Sequence, residues 1–120
     1  MPQTVLIVDD HAGFRGFARR LLEAGGYRVV GEAGDGASAL AAVEELRPEL
    51  VLLDVLLPDT DGFAVAELLA ENGVGSVVVL TSSREASEFG ERLESSCAHG
   101  FVRKDELSGR ALASVTAAER

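Results

Sequence analysis

The sequence predicts an α/β fold in which five strand–helix units surround one parallel sheet. Three observations carry that expectation. Five short apolar, β-branched-rich runs recur at VLIV (5–8), RVVG (28–31), LVLL (50–53), SVVVL (76–80) and GFV (100–102). Their starts lie 23, 22, 26 and 24 residues apart, which leaves room for one helix between neighbours and little more. None alternates apolar with polar residues, as a half-solvated strand would; such runs suit strands covered on both faces. The predicted sheet is open, with right-handed crossovers and helices on both sides.

The segments between the runs carry helical periodicity. Phe14, Phe17, Ala18, Leu21 and Leu22 form one stripe, and Gly25-Gly26 is its stop. Ala39, Leu40, Val43 and Leu46 form a second, which Pro48 bars from continuing. Phe63 to Asn72, closed by Gly73, is the third. Ala86, Phe89, Leu93 and Cys97 mark a fourth helix with Gly90 in its middle, and Leu107, Ala111, Val115 and Ala118 mark the last. The even spacing reflects the repeated unit; no sequence repeat is visible.

Length and composition narrow the function. The 120 residues, 47% hydrophobic, suffice for one domain, 1–120, with its own core. A net charge of −9 and the absence of a basic stripe speak against direct nucleic-acid or anionic-membrane binding; Arg15, Arg19 and Arg20 at helical spacing read as a solvated face. No apolar run is long enough to span a bilayer, and no basic segment followed by an apolar stretch signals secretion. Lone Cys97 fits a reducing cytosol and is expected to be a buried or half-buried thiol.

In open α/β sheets a ligand site lies beyond the carboxyl ends of the strands, where strand order reverses. Asp9 and Asp10 follow the first run, Glu32 the second, Asp54 the third, Thr81 the fourth, and Arg103 and Lys104 the fifth. In the flavodoxin-like order 2-1-3-4-5 the second strand is an edge, so Glu32 falls to one side and the others converge. Two carboxylates about 4 Å apart at an effective dielectric of about 20 repel by roughly 4 kcal/mol. Three would therefore be strained unless protonated or bridged by a cation, and among cations Mg²⁺ suits oxygen ligands that also leave places for water and phosphate. With Lys104 and Thr81 facing the metal, the set can stabilise a transferring phosphoryl group, with Asp54 in the middle as nucleophile.

At this point the sequence resembles the CheY-like receiver domains of two-component response regulators. LIVDDH, LLDVLLPDTDG, VVVLTS and GFVRKDEL carry the resemblance, in order and each at a strand end; VVGEAGDG and GFVRKDEL are similar to the NarL/LuxR-type subgroup. The resemblance implies that Asp54 accepts a phosphoryl group from a histidine kinase. It implies that Asp10, Asp54 and the Leu56 carbonyl bind Mg²⁺ directly, and that Asp9 acts through metal-bound water. Lys104 would pair with Asp54 and then with the phosphate, while Thr81 and Phe101 switch. The face made by the fourth helix, fifth strand and fifth helix would then control an output domain or partner protein, including a DNA-binding domain absent from this chain. A cytoplasmic signalling domain rather than an enzyme is implied, and phosphorylation-dependent homodimers belong to its repertoire. Two departures stand out. Asp105 occupies the place of the family's usual proline, so a trans peptide is expected there; Leu56 and Ser83 replace common polar choices beside the acceptor and should affect phosphoryl lifetime.

Plainer readings stand beside these. Asp10 would serve as a helix cap, Thr81 as a strand-end hydroxyl, Lys104 as a solvated charge and Phe101 as core packing. His11 is expected to face solvent in the first turn and His99 to lie in a loop. GEAGDG (31–36) lacks phosphate-cradle spacing and reads as a loop entering the second helix, and Gly62 serves the turn before the third. DTDGF (59–63) resembles the signature of haloacid-dehalogenase phosphatases, with Asp59 as nucleophile; Pro58 and the jobless Asp9-Asp10 pair oppose that. A degenerate receiver that only binds a partner is the third alternative.

Overall fold

The computed structural model describes residues 3–117. The chain runs β1 (Thr4–Val8), α1 (Ala12–Ala24), β2 (Arg28–Ala33), α2 (Gly36–Leu46), β3 (Leu50–Asp54), α3 (Gly62–Glu71), β4 (Val77–Ser82), α4 (Glu91–Glu94), β5 (Gly100–Arg103) and α5 (Gly109–Ala117). Ala86–Glu88 and Lys104–Glu106 add single 3₁₀ turns. All four strand pairings are parallel, as the spacing and burial pattern of the apolar runs predict, and the order β2-β1-β3-β4-β5 is the flavodoxin-like one expected above.

Because side chains alternate across a strand, each buried run feeds two cores. Val5, Ile7, Leu50, Leu52 and Val79 pack on one face with Ala18, Leu22 and Leu112 of α1 and α5. Leu6, Val8, Val51, Leu53, Val78 and Leu80 pack on the other with Val43 and Leu69 of α2 and α3. The result is three layers. The direction in which successive strands are added across the sheet reverses at β1 and β3, so the carboxyl ends of those two strands flank the switch point.

Several expectations need correction. β2 continues to Ala33, so Glu32 lies inside the edge strand rather than beyond it. The expected fourth helix is split: Gly90 adopts φ +55°, which side-chain-bearing residues rarely hold, and a single helical turn follows it. Cys97 is exposed, because the short α4 ends before reaching it. Leu107 is buried ahead of α5 rather than within it, and Ala118 lies outside the described residues. His99 is exposed, yet its backbone N–H donates to the Val78 carbonyl at 2.8 Å and its Nδ1 accepts from the Val78 N–H at 2.9 Å, extending the β4–β5 pairing. No helix among the described residues is long and apolar enough to cross a membrane.

Candidate phosphoacceptor site

Asp54 is the last residue of central β3 and only 5% exposed. Register pairs it with Thr81 of β4, 1% exposed, and the Val55 N–H donates to the Thr81 carbonyl at 2.9 Å. Asp9, fully buried, ends the β1 edge of the cleft, while Asp10 beside it is exposed. Lys104 enters from the turn after β5 and places Nζ 2.6 Å from Asp9 Oδ2 and 3.1 Å from Asp54 Oδ2. Its ammonium also stands 4.5 Å from the Phe14 ring centroid. Asp9, Asp10, Asp54 and Lys104 thus share one pocket, with Thr81 on the adjoining strand.

The first helix does not use Asp10 as its cap. His11 takes the N-cap position without a side-chain bond, and its ring Nδ1 lies 3.2 Å from Asp9 Oδ1 and 3.0 Å from Asp10 Oδ1. The His11 N–H donates to Asp9 Oδ1 at 2.8 Å. Asp10, not used as the cap, keeps a carboxylate oxygen within the acidic cluster beside the His11 ring.

Charge decides what the pocket lacks. Burial raises the cost of ionising Asp9, but Lys104 and the His11 N–H outweigh it and hold its carboxyl below the ordinary value. At Asp54 burial wins: against the pull of Lys104, and aided by the Asp9 charge, it pushes the carboxyl up to about 6. Lys104 itself, despite burial, is raised by the two carboxylates. Three carboxylates against one ammonium leave two negative charges uncompensated. Ligand atoms of Asp9, Asp10, His11 and Asp54 all lie within 4.8 Å of one another. Asp9 Oδ2 is buried, and among the described residues it meets the Lys104 ammonium at 2.6 Å, a partner it shares with Asp54. These residues fit a divalent, oxygen-seeking cation.

Leu56 contributes through its backbone. The β3–α3 loop closes on itself by Gly62 N–H to the Val55 carbonyl (2.7 Å) and Leu57 N–H to the Thr60 carbonyl (3.2 Å). Leu56 faces Asp61 in that bridge, which uses neither its N–H nor its carbonyl. The N–H goes to Asp54 Oδ1 at 3.2 Å, and the carbonyl has no protein donor among the described residues. Gly62 is required here: a Cβ would lie 2.5 Å from the Asp54 carbonyl oxygen.

Other residues fall elsewhere. Phe101 is half-buried and stacks on Phe89, which in turn meets Phe63, with centroids 5.8 Å apart in each pair. Asp59 sits exposed at the tip of the β3–α3 loop and accepts hydrogen bonds from α2, so it does not stand where a phosphatase nucleophile would. Ser83 is exposed beyond β4, and Leu56 is 59% exposed at the mouth of the site. No peptide bond among the described residues is cis, and Asp105 grips Arg103 through both carboxylate oxygens at 2.5 and 2.7 Å. Arg15 is more than the solvated residue its spacing suggests. Its Nη1 donates to the Asp9 carbonyl at 2.6 Å and its Nε to Glu32, which also holds Arg19. No local sequence pattern announces these bonds, because the Asp9 carbonyl and Glu32 become neighbours of Arg15 only on folding.

Comparison with known proteins agrees with this geometry. The family model described as the response regulator receiver domain matches residues 5–116, and the chain belongs to that family. It is 30% identical over 114 residues to the DNA-binding transcriptional activator EvgA of Escherichia coli, covering 95% of this chain and 56% of EvgA. It is 40% identical over 82 residues to the transcriptional regulatory protein PdtaR of Mycobacterium tuberculosis, covering 68% and 40%. The chain thus spans about half the length of the curated relatives it matches. Among solved structures, the NarL signal receiver domain of M. tuberculosis superposes with a TM-score of 0.85 at 32% identity, covering 96% and 97% of the two chains. A LuxR-family response regulator of Aurantimonas gives 0.86 at 27%, covering 99% and 85%. This is a two-component receiver domain with NarL/LuxR-type relatives, a signalling domain of a family that generally depends on Mg²⁺.

Proposed function

We propose that Asp54 is the phosphoacceptor and that residues 1–120 work as one receiver domain. A histidine kinase phosphohistidine is the donor. A carboxylate oxygen of Asp54 attacks phosphorus, the aspartyl O–P bond forms as the donor's N–P bond breaks, and the donor imidazole leaves. Asp10, Asp54 and the Leu56 carbonyl would hold Mg²⁺ directly and Asp9 through water; when bound, the ion neutralises charge on the equatorial phosphoryl oxygens. Lys104 orients Asp54 and then meets the phosphoryl group, and Thr81 donates its hydroxyl to it. The observation that carries the reading is the position of Asp54: buried, central, and crowded by Asp9 on one side with Lys104 on the other.

Phosphorylation adds about −1.5 to −2 charges to a pocket already short of positive ones. Movement of Thr81 and Lys104 toward that charge shifts β5, Phe101 and the α4–β5–α5 face, and this face controls a partner protein or a DNA-binding output domain in the cytoplasm or pairs with a second copy. The relative EvgA, a DNA-binding activator, supports a DNA-binding output. The test is incubation with a small phosphodonor and Mg²⁺. One hydroxylamine-labile phosphoryl group is expected, and Asp54→Asn should abolish it; a label unaffected by that change would refute the assignment. A partner bound without any labelling would identify a degenerate binding module.

A further inference from the structure

We propose that Asp59 is a positioning residue that clamps the loop carrying the Leu56 carbonyl to the N-terminus of α2, and thereby sets the affinity of the acidic site for its divalent cation. This rests on the metal reading given above. The β3–α3 loop is closed within itself by the two backbone bonds at Val55–Gly62 and Leu57–Thr60, and Asp61 at its far end is held by the Ala64 N–H and Arg92. Asp59, at its tip, supplies a tether. Oδ1 accepts from the Gly36 N–H at 2.8 Å and Oδ2 from the Ala37 N–H at 3.1 Å.

These are first-turn amides of a helix that already has a local cap, since Asp35 takes the Ser38 N–H at 2.7 Å. Four N–H groups open at a helix start, and a carboxylate is favoured there by the helix dipole. Here the second carboxylate comes from a different loop, so the helix start serves as an anchor for that loop. The other side of the joint is shaped to match: a Cβ on Gly36 would lie 2.4 Å from Thr60 Cγ2 and 3.3 Å from Asp59 Oδ1. Leu56 is three residues from the tether, and its carbonyl is a candidate ligand with no protein donor among the described residues. Partners that orient a metal ligand from outside the coordination sphere carry much of a site's affinity. Because coupling is reciprocal, loading the metal should in turn tighten the Asp59 bonds.

The experiment is an NMR titration of amide shifts with Mg²⁺, run on the wild type, Asp59→Ala, Gly36→Ala and Asp35→Ala, with urea unfolding of each. Asp59→Ala and Gly36→Ala should raise the Mg²⁺ dissociation constant by about tenfold, the low end of what losing such a partner costs. Asp35→Ala takes a capping bond from the same helix and should lower stability while leaving the dissociation constant unchanged. In the wild type, Mg²⁺ should slow hydrogen exchange at Gly36 and Ala37. Equal affinities for wild type and Asp59→Ala overturn the proposal. If Asp59→Ala does not fold, Asp59→Asn, which keeps one acceptor oxygen, decides: weaker binding supports the clamp and unchanged binding overturns it. A wild type that binds no Mg²⁺ at the acidic pocket would instead overturn the metal reading beneath it.

Discussion

Lys104 has one ammonium to divide between two buried carboxylates, and it stands closer to Asp9 than to Asp54. The Asp54 carboxyl, pushed up to about 6, is therefore ionised at pH 7 at a cost in folding free energy. Replacing it by a neutral isostere removes that cost. Asp54→Asn should stabilise the metal-free protein at pH 7 by about 1–3 kcal/mol, since each tenfold change in proton affinity corresponds to about 1.4 kcal/mol. Urea unfolding in EDTA measures this, and a less stable variant contradicts that balance of charges. Asp9, Asp10, Asp54, Thr81 and Lys104 were all legible in the sequence because each stands at the end of an apolar run. The tethers made by Asp59 and Arg15 were not. Their partners, Gly36 and the Asp9 carbonyl, become neighbours only after the chain has folded, and no local pattern announces a bond between a loop and a distant helix start.

Among elements, α1 is tied to the edge strand by charge and α5 to β5 by shape. Glu32 receives Arg19 at 2.8 Å and Arg15 at 3.1 Å, and these partners, chiefly Arg19 and against slight burial, hold its carboxyl below the ordinary 4.5. A depressed folded-state value gives stability that is present above pH 4.5 and lost as pH falls through the folded-state value. Glu32→Gln should therefore cost stability at pH 7, and the cost should vanish well below pH 4.5; a cost independent of pH would rule out the ion pairs as its source. At the other edge, a Cβ on Gly100 would fall 1.9 Å from Val115 Cγ1. Gly100→Ala should destabilise by about 1–3 kcal/mol through overpacking, and by less in a Val115→Ala background. Denaturant midpoints of the wild type, the two single variants and the double variant check this, and simple additivity would contradict it. Helix stops at Gly25, Pro48 and Gly73 were readable from residue type. The break at Gly90 was visible as a glycine, but its positive φ was not, because periodicity alone continues the stripe to Cys97.

For the whole molecule, two cores on opposite sides of one sheet leave the carboxyl ends of β1, β3, β4 and β5 gathered at a single rim. The five evenly spaced runs made that architecture legible, since strands buried on both faces need helices on both faces. The Phe63–Phe89–Phe101 stack joins α3, the segment before α4, and β5, and Arg92 adds a link by standing 4.5 Å over the Phe63 ring and 3.1 Å from Asp61. A cation bound by the folded site alone should stabilise the entire domain by mass action, about 1.4 kcal/mol at ten times its dissociation constant. Mg²⁺ should produce that gain in thermal or urea unfolding, and its absence would contradict a pocket two charges short.

The most direct measurement is chemical mapping of the acyl phosphate. After reaction with a small phosphodonor and Mg²⁺, treatment with hydroxylamine should convert one carboxyl to a hydroxamate, and peptide sequencing by mass spectrometry should place it on Asp54. A hydroxamate on Asp59, or on any other carboxyl while Asp54 remains unmodified, would contradict the assignment of Asp54 as phosphoacceptor.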